Sequence, residues 1–255
     1  MKLSDPARRR YARNIVLPEI GVAGQEKLLS AKVLVIGAGG LGSPLLLYLA
    51  AAGVGTIGIV DSDKVELSNL QRQIAFETAD IGRSKTESAA DAVNDLNPDI
   101  RVVQHPVRLT VENARTLISG YDMVADGSDN FETRFLVHDT CFSLRKPVIS
   151  AAVVGFKGQL STYKAYEGAK NPCYHCFIPE TPPAEIMPNC ADNGVLGAVA
   201  GVMASLQATE VIKELLGIGK SLSGSVVVFD ALDAILRATQ LRRDPACPFC
   251  SKQAA

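Results

Sequence analysis

The segment from Lys32 to Asp61 constrains this chain more than any other. A β-branched run, Lys-Val-Leu-Val-Ile at 32–36, ends in Gly37-Ala38-Gly39-Gly40-Leu41-Gly42. An apolar stretch to Ala52 follows, and a second β-branched run, 56–60, closes on Asp61. Strand, glycine turn, helix, strand is a βαβ unit, whose two strands lie parallel in one sheet. Its glycines let backbone N–H groups approach a phosphate or ribose, and a carboxylate ending the second strand can accept from ribose hydroxyls. Taken alone, this G-x-G-x-x-G pattern reads by default as a dinucleotide-binding dehydrogenase, so NAD(P) and ATP both remain open.

The same alternation continues. Helical patterns are predicted at 6–12, 24–29, 84–96 and 111–118, and strands at 101–104 and 122–125. Beyond Pro147 the rhythm changes, and 148–154 and 159–163 read as strands of an antiparallel extension. A long apolar helix at 194–216 and a strand at 225–229 complete the pattern. The expected fold is α/β: a Rossmann-like, doubly wound, mostly parallel sheet with an antiparallel extension and a structural zinc site. We expect one domain over 1–255, comprising a helical arm at 1–30, a nucleotide-binding half at 31–150 and a second half at 151–255. The aperiodic, Pro- and Cys-rich segment 166–193 reads as a functional loop.

Composition excludes several classes. With 47% hydrophobic residues over 255 positions, the chain can bury a full core. A formal net charge of -1 lacks the basic excess that phosphate backbones attract, so nucleic acid is not an expected partner. The charged N-terminus leads into no apolar signal segment, and the apolar stretch at 194–208 soon meets Glu210 and Lys213. A cytoplasmic protein without membrane association is expected.

Three further motifs turn the glycine loop toward ATP. Ser68-Asn69-Leu70-Gln71-Arg72-Gln73 places a cation after Asp61, and Gly82-Arg83-Ser84-Lys85 sets another at a helix start. Lysine in a first helical turn opposes the macrodipole unless an anion sits there. Asp126-Gly127-Ser128-Asp129-Asn130 follows a strand, where a carboxylate can bind Mg²⁺ beside a triphosphate.

Together with paired C-x-x-C sequences, these motifs resemble the MoeB/ThiF-type adenylyltransferases (HesA/MoeB/ThiF), bacterial relatives of ubiquitin-activating enzymes, and stand nearest to the molybdopterin-synthase branch. The likeness runs from about Arg10 to Cys250. It implies an ATP-dependent enzyme that adenylates the C-terminal Gly-Gly carboxylate of a ubiquitin-like sulfur-carrier protein, of the molybdopterin or thiamine type, and releases pyrophosphate for thiocarboxylate formation. By that resemblance, Gly37, Gly39, Gly40 and Gly42 lie beneath the nucleotide and Asp61 binds the ribose. Ser68, Asn69, Leu70, Gln71, Arg72 and Lys85 line the phosphates, and Asp129 positions Mg²⁺ with Asn130 beside it. Arg13 resembles an arginine that crosses a homodimer interface toward the phosphates of the other subunit. Gly127-Ser128 departs slightly from relatives, which often carry a bulkier residue and Thr there. A tRNA-modifying member of the superfamily is a further alternative, for which a basic surface would be expected.

In a reducing compartment, clustered cysteines point to metal or catalysis rather than disulfides. Cys173-x-x-Cys176 and Cys247-x-x-Cys250 form a complete Cys₄ set, which predicts one closed, structural Zn²⁺ per chain. Cys190, just before the long helix, is either an ordinary loop cysteine or a thiolate covalently engaged in sulfur transfer. Cys141 reads as core, His105 and His138 as structural, and His175 as a bystander. No sulfurtransferase segment follows Cys250, so a separate sulfur donor is expected.

Overall fold

The computed structural model describes residues 3–168, 170–181 and 194–251. Its frame is one eight-stranded sheet in the order β3-β2-β1-β4-β5-β6-β7-β8. The strands are β1 (Lys32–Ile36), β2 (Thr56–Val60), β3 (Arg101–His105), β4 (Met123–Asp126), β5 (Val148–Val154), β6 (Lys157–Tyr163), β7 (Ser225–Asp230) and β8 (Ile235–Gln240). The first five run parallel, and β6, β7 and β8 pair antiparallel. The extension therefore begins at β6, one strand later than the change of rhythm at Pro147 suggests, because β5 still pairs parallel with β4.

Helices cover both faces. The described ones are α1 (Asp5–Arg10), α2 (Ala12–Ile15), α3 (Gly21–Ser30), α4 (Gly42–Ala52), α5 (Lys85–Leu96), α6 (Val111–Ser119), α7 (Phe131–Ser143), α8 (Tyr174–Phe177) and α9 (Gly197–Leu216). Alternate residues of each parallel strand serve opposite faces. Val33, Val35, Met123, Ala125 and Ile149 pack with α4, α5 and α9, while Leu34, Ile36, Val124 and Val148 pack with α6 and α7. Burial on both faces is why these strands read as unbroken apolar runs. β8 lies at the sheet edge with all six residues exposed, so it has no buried face to impose an alternating pattern on its sequence.

Strand order reverses between β1 and β4, whose carboxyl ends open the crevice where ligands bind in such sheets. Two glycines shape its floor. Gly37 adopts φ +84°, a left-handed conformation that favours glycine. Gly42 begins α4 so close to the Gly37 carbonyl that a Cβ would stand 1.8 Å from that oxygen.

Gly42→Ala should therefore destabilise the protein by about 1–3 kcal/mol, the usual cost of overpacking. Gly201, inside α9, has nothing within 4 Å of a built Cβ, so Gly201→Ala should be neutral or stabilising by up to about 1 kcal/mol. Urea denaturation of both variants measures the contrast, and equal effects would contradict the packing described.

Candidate active site and four-cysteine cluster

The crevice collects most of the residues expected to touch a nucleotide. Gly37 N–H donates to the Val60 carbonyl (2.8 Å) and Gly127 N–H to the Ile36 carbonyl (3.0 Å), tying the β1, β2 and β4 ends together. The Asp61 carboxylate accepts from Ala38 N–H (2.8 Å) and Asp63 N–H (2.9 Å), which orients it beside the glycine loop. α4 starts at this loop with no side-chain cap; Ser43 N–H already donates to the Gly39 carbonyl (2.8 Å) and Pro44 has no N–H, which leaves the loop amides ahead of Ser43 for an anion.

The segment after β2 closes one side. Asn69 ends a 3₁₀ turn, Leu67–Asn69, and accepts from Glu66 N–H (3.1 Å). This turn carries Arg72 back over the loop, where its aliphatic stem lies beside Gly40 and its guanidinium donates to the Ser68 carbonyl (2.9 Å). Gly197, the first residue of α9, packs directly on the backbone of Gln71 and Arg72. Ser68 and Gln71 are exposed, whereas Leu70 turns toward the core.

Lys85, at the first position of α5, is buried and pairs with Asp63 at 2.8 Å. The anion that the macrodipole argument required is thus supplied by the chain itself, two residues after Asp61. Asp129 is exposed at the crevice mouth and accepts from Asn130 Nδ2 (3.3 Å). Asn130 also caps α7, accepting from Thr133 N–H (2.9 Å).

Arg13 is not brought to this crevice. It is exposed on α2, directly after Tyr11, which packs on Gly53 at the far end of α4. The 11 residues of α4 place that end about 16 Å from the glycine loop. Cys190 lies outside the described residues.

Cys173, Cys176, Cys247 and Cys250 converge with their ligand atoms all within 4.8 Å. Adjacent sulfurs are 3.5–3.6 Å apart, and Zn–S bonds near 2.3 Å in a tetrahedron would set them about 3.8 Å apart. Burial pushes the Cys173 thiol up, and with neighbouring sulfurs it pushes Cys250 up to about 11. Burial opposes ionisation of Cys247 too, but backbone N–H groups from Cys250 and Phe249 bring it below its ordinary value. Packed thiolates of this kind need a cation, so the donor set fits Zn²⁺ and offers it no open position.

Beside the cluster, His138 and His175 both bond Asp139 Oδ1 at 2.8 Å. His138 Nε2 accepts from Tyr174 N–H (3.1 Å), and burial lowers its pKa, so the ring is neutral and neither nitrogen is free for a metal. His175 is not a bystander: it stacks on Phe249 at 4.6 Å and joins the two cysteine knuckles to α7. Cys141 is core, its thiol pushed up by burial. His105 bonds Tyr121 at 2.8 Å.

The motifs contain Asp126 and Ser128 but not the two residues that complete a buried set with them, Arg134 and Ser150. One signal existed: Arg134, Val137, His138 and Cys141 share the i, i+3, i+4, i+7 face of α7, so two polar residues fall on its buried side.

Residues 11–249 match the model of the ThiF family. This chain belongs to the ThiF family. The chain is 47% identical over 246 residues to the sulfur carrier protein adenylyltransferase of Thermus thermophilus, covering 96% of this chain and 91% of that one. It is 49% identical over 245 residues to the adenylyltransferase and sulfurtransferase MOCS3 of Mus musculus, with 96% of this chain but 53% of the relative covered. For the probable adenylyltransferase/sulfurtransferase MoeZ of Mycobacterium tuberculosis the identity is 48%, covering 94% and 61%. The chain thus spans roughly half to three-fifths of these two-activity relatives. The crystal structure of E. coli MccB with ATP superposes with a TM-score of 0.80 at 25% identity, covering 95% of this chain and 74% of that one. ThiF membership removes the dehydrogenase reading of the glycine loop. Among the described residues of this ThiF-family protein, no helix is long and apolar enough to cross a membrane.

Elemental analysis should find one zinc per chain, and Cys247→Ser should lose it with reduced thermal stability. Cys190→Ser should keep its metal. Full zinc retention in Cys247→Ser, or loss in Cys190→Ser, would contradict the four-cysteine assignment.

Proposed function

We propose that this ThiF-family protein uses Mg-ATP to adenylate the C-terminal Gly-Gly carboxylate of a ubiquitin-like sulfur-carrier protein, releasing pyrophosphate ahead of thiocarboxylate formation. The observation that carries the reading is a ThiF-family glycine loop with the Arg72 stem beside Gly40 and the Asp61 carboxylate bonded to Ala38 N–H. A relative of the same family named for this activity is similar over nearly its whole length.

The chemistry suits such a site. A protein C-terminus has a pKa near about 3.5, so at neutral pH it is already the nucleophile and asks for no general base. The obstacle is to bring this anion in line with the α-phosphate, which requires positioning and neutralisation of charge. Asp61 would fix the ribose and the loop N–H groups ahead of Ser43 would face the phosphates. Arg72 would neutralise phosphate oxygens from beside Gly40. Lys85 would exchange or share its Asp63 partner with the same oxygens. Mg²⁺ bound to the triphosphate would supply further charge neutralisation, held by the exposed carboxylate of Asp129. The carrier oxygen bonds phosphorus as the bond to the pyrophosphate oxygen breaks.

Arg13 lies at the wrong end of α4 to act within its own chain. We place it in the crevice of a second copy, in a homodimer whose arms are exchanged about a two-fold axis. Sulfur would come from a separate donor, a persulfide-bearing sulfurtransferase or a cysteine desulfurase. Cys190 would enter only after adenylation, so Cys190→Ser should still make adenylate.

Carrier-dependent ATP–pyrophosphate exchange tests these roles together. Arg72→Ala and Asp129→Ala should each lose at least about a hundredfold, because charge stabilisation at a phosphoryl centre is a large term. Arg13→Ala should also be nearly inactive alone. When Arg13→Ala and Asp129→Ala subunits are mixed and exchanged, half the dimers carry one intact and one doubly damaged site. Roughly a quarter of the wild-type rate should return. No recovery despite confirmed subunit exchange would remove Arg13 from the partner's site, and near-normal exchange in folded Arg72→Ala or Asp129→Ala would remove that residue's role.

A further inference from the structure

Beneath the loop that presents Asp129 lies a buried polar network that direct nucleotide contacts do not explain. Asp126 is 1% exposed. Its carboxylate accepts from Ser128 N–H (3.0 Å), Ser128 Oγ (2.7 Å) and Ser150 Oγ (2.9 Å). Arg134, one turn into α7, is 8% exposed and reaches back under the same loop. Its guanidinium donates to the Ser128 carbonyl, to Ser150 Oγ (3.3 Å) and to the Ala151 carbonyl (3.0 Å). The positive charge of Arg134 and the negative charge of Asp126 thus meet through the Ser150 hydroxyl.

The consequence for Asp129 is geometric. Ser128 is held at its N–H and hydroxyl by Asp126 and at its carbonyl by Arg134, while Asn130 is fixed as the cap of α7. Asp129 stands between two immobilised residues, so an exposed carboxylate is carried on a rigid backbone. Such pre-organisation matters for a group that must meet a metal at a fixed distance, since supporting residues set the orientation of metal ligands.

One turn further along the same helix, His138 Nε2 accepts from Tyr174 N–H (3.1 Å), so α7 also meets the first cysteine knuckle.

We propose that Arg134 is a positioning residue that fixes the backbone carrying Asp129 for Mg-ATP. This rests on the reading of Asp129 as the carboxylate that holds Mg²⁺.

Two variants test the link. Arg134→Lys keeps the charge but loses the planar fork that serves several acceptors at once, and Ser150→Ala removes the hydroxyl that Arg134 shares with Asp126. The readouts are the Mg²⁺ concentration for half-maximal ATP–pyrophosphate exchange and hydrogen–deuterium exchange of residues 126–133 in the nucleotide-free protein. Arg134→Lys should raise the Mg²⁺ requirement by at least about tenfold, as loss of an outer support to a metal ligand does. KM for ATP at saturating Mg²⁺ should change by less than about twofold, because uniform nucleotide binding is untouched. Amide exchange should quicken at 126–133 but not at 32–36. Ser150→Ala should shift both readouts in the same direction, by less.

An unaltered Mg²⁺ requirement together with wild-type amide exchange in folded Arg134→Lys would overturn the proposal. If Arg134→Lys does not fold, Ser150→Ala decides by the same criterion. Asp129→Ala is the control: if its residual activity keeps the wild-type Mg²⁺ dependence, the assignment of Asp129 fails. Amide exchange at 126–133 then still reports whether Arg134 holds the loop.

Discussion

Two backbone segments meet at van der Waals distance where β1 and β4 end, and the proposed nucleotide site is laid out from that meeting. A Cβ on Gly37 would stand 3.4 Å from the Gly127 carbonyl, and one on Gly42 would run into the Gly37 carbonyl. Side chains at these positions would push the β1 loop, the β4 loop and α4 apart. With glycine there, the start of α4, the Asp61 carboxylate and the 126–130 loop share one crevice. Neither strand end makes it alone; it exists because strand order reverses between them.

From this crevice the chain distributes its charges in two tiers. Asp129 and Ser68 are exposed and Arg72 partly so, open to a ligand. Lys85, Asp126 and Arg134 are buried, each with partners from its own chain. Buried charge is tolerated when its hydrogen bonds are made, and here those bonds hold the backbone beneath the exposed groups. Farther along α7, His138, Asp139 and His175 tie the helix to the cysteine knuckles. One helix thus begins at the proposed metal carboxylate and continues to the proposed zinc clasp.

Much of this was legible in the sequence, for identifiable reasons. β1, β2 and β5 match their apolar runs because doubly buried strands tolerate few polar residues. The cysteine spacing announces a four-ligand cluster, and the strand–glycine–helix order announces the crevice. β8 was silent, since Ile235 and Leu236 are adjacent and both exposed, leaving no alternation to detect. Lys85 was noticed as an anomaly, but its partner Asp63 becomes a neighbour only through the turn that follows β2. Arg134 is hidden in the sequence because its partners Ser128, Ser150 and Ala151 come from the loop after β4 and the middle of β5, which only the folded sheet brings together. The role proposed for Arg13 is one that no single chain would display, because its end of α4 faces away from its own crevice.

The central claim is that this crevice joins AMP to the C-terminus of a sulfur carrier. Intact-mass spectrometry of a purified carrier ending in Gly-Gly, incubated with the protein and Mg-ATP and quenched cold, tests it most directly. The account predicts a carrier species heavier by one adenylyl group, with the mass located at the terminal glycine. It should be absent when that glycine is deleted or when NAD replaces ATP. An unmodified carrier under conditions where the protein binds both Mg-ATP and the carrier would contradict the account.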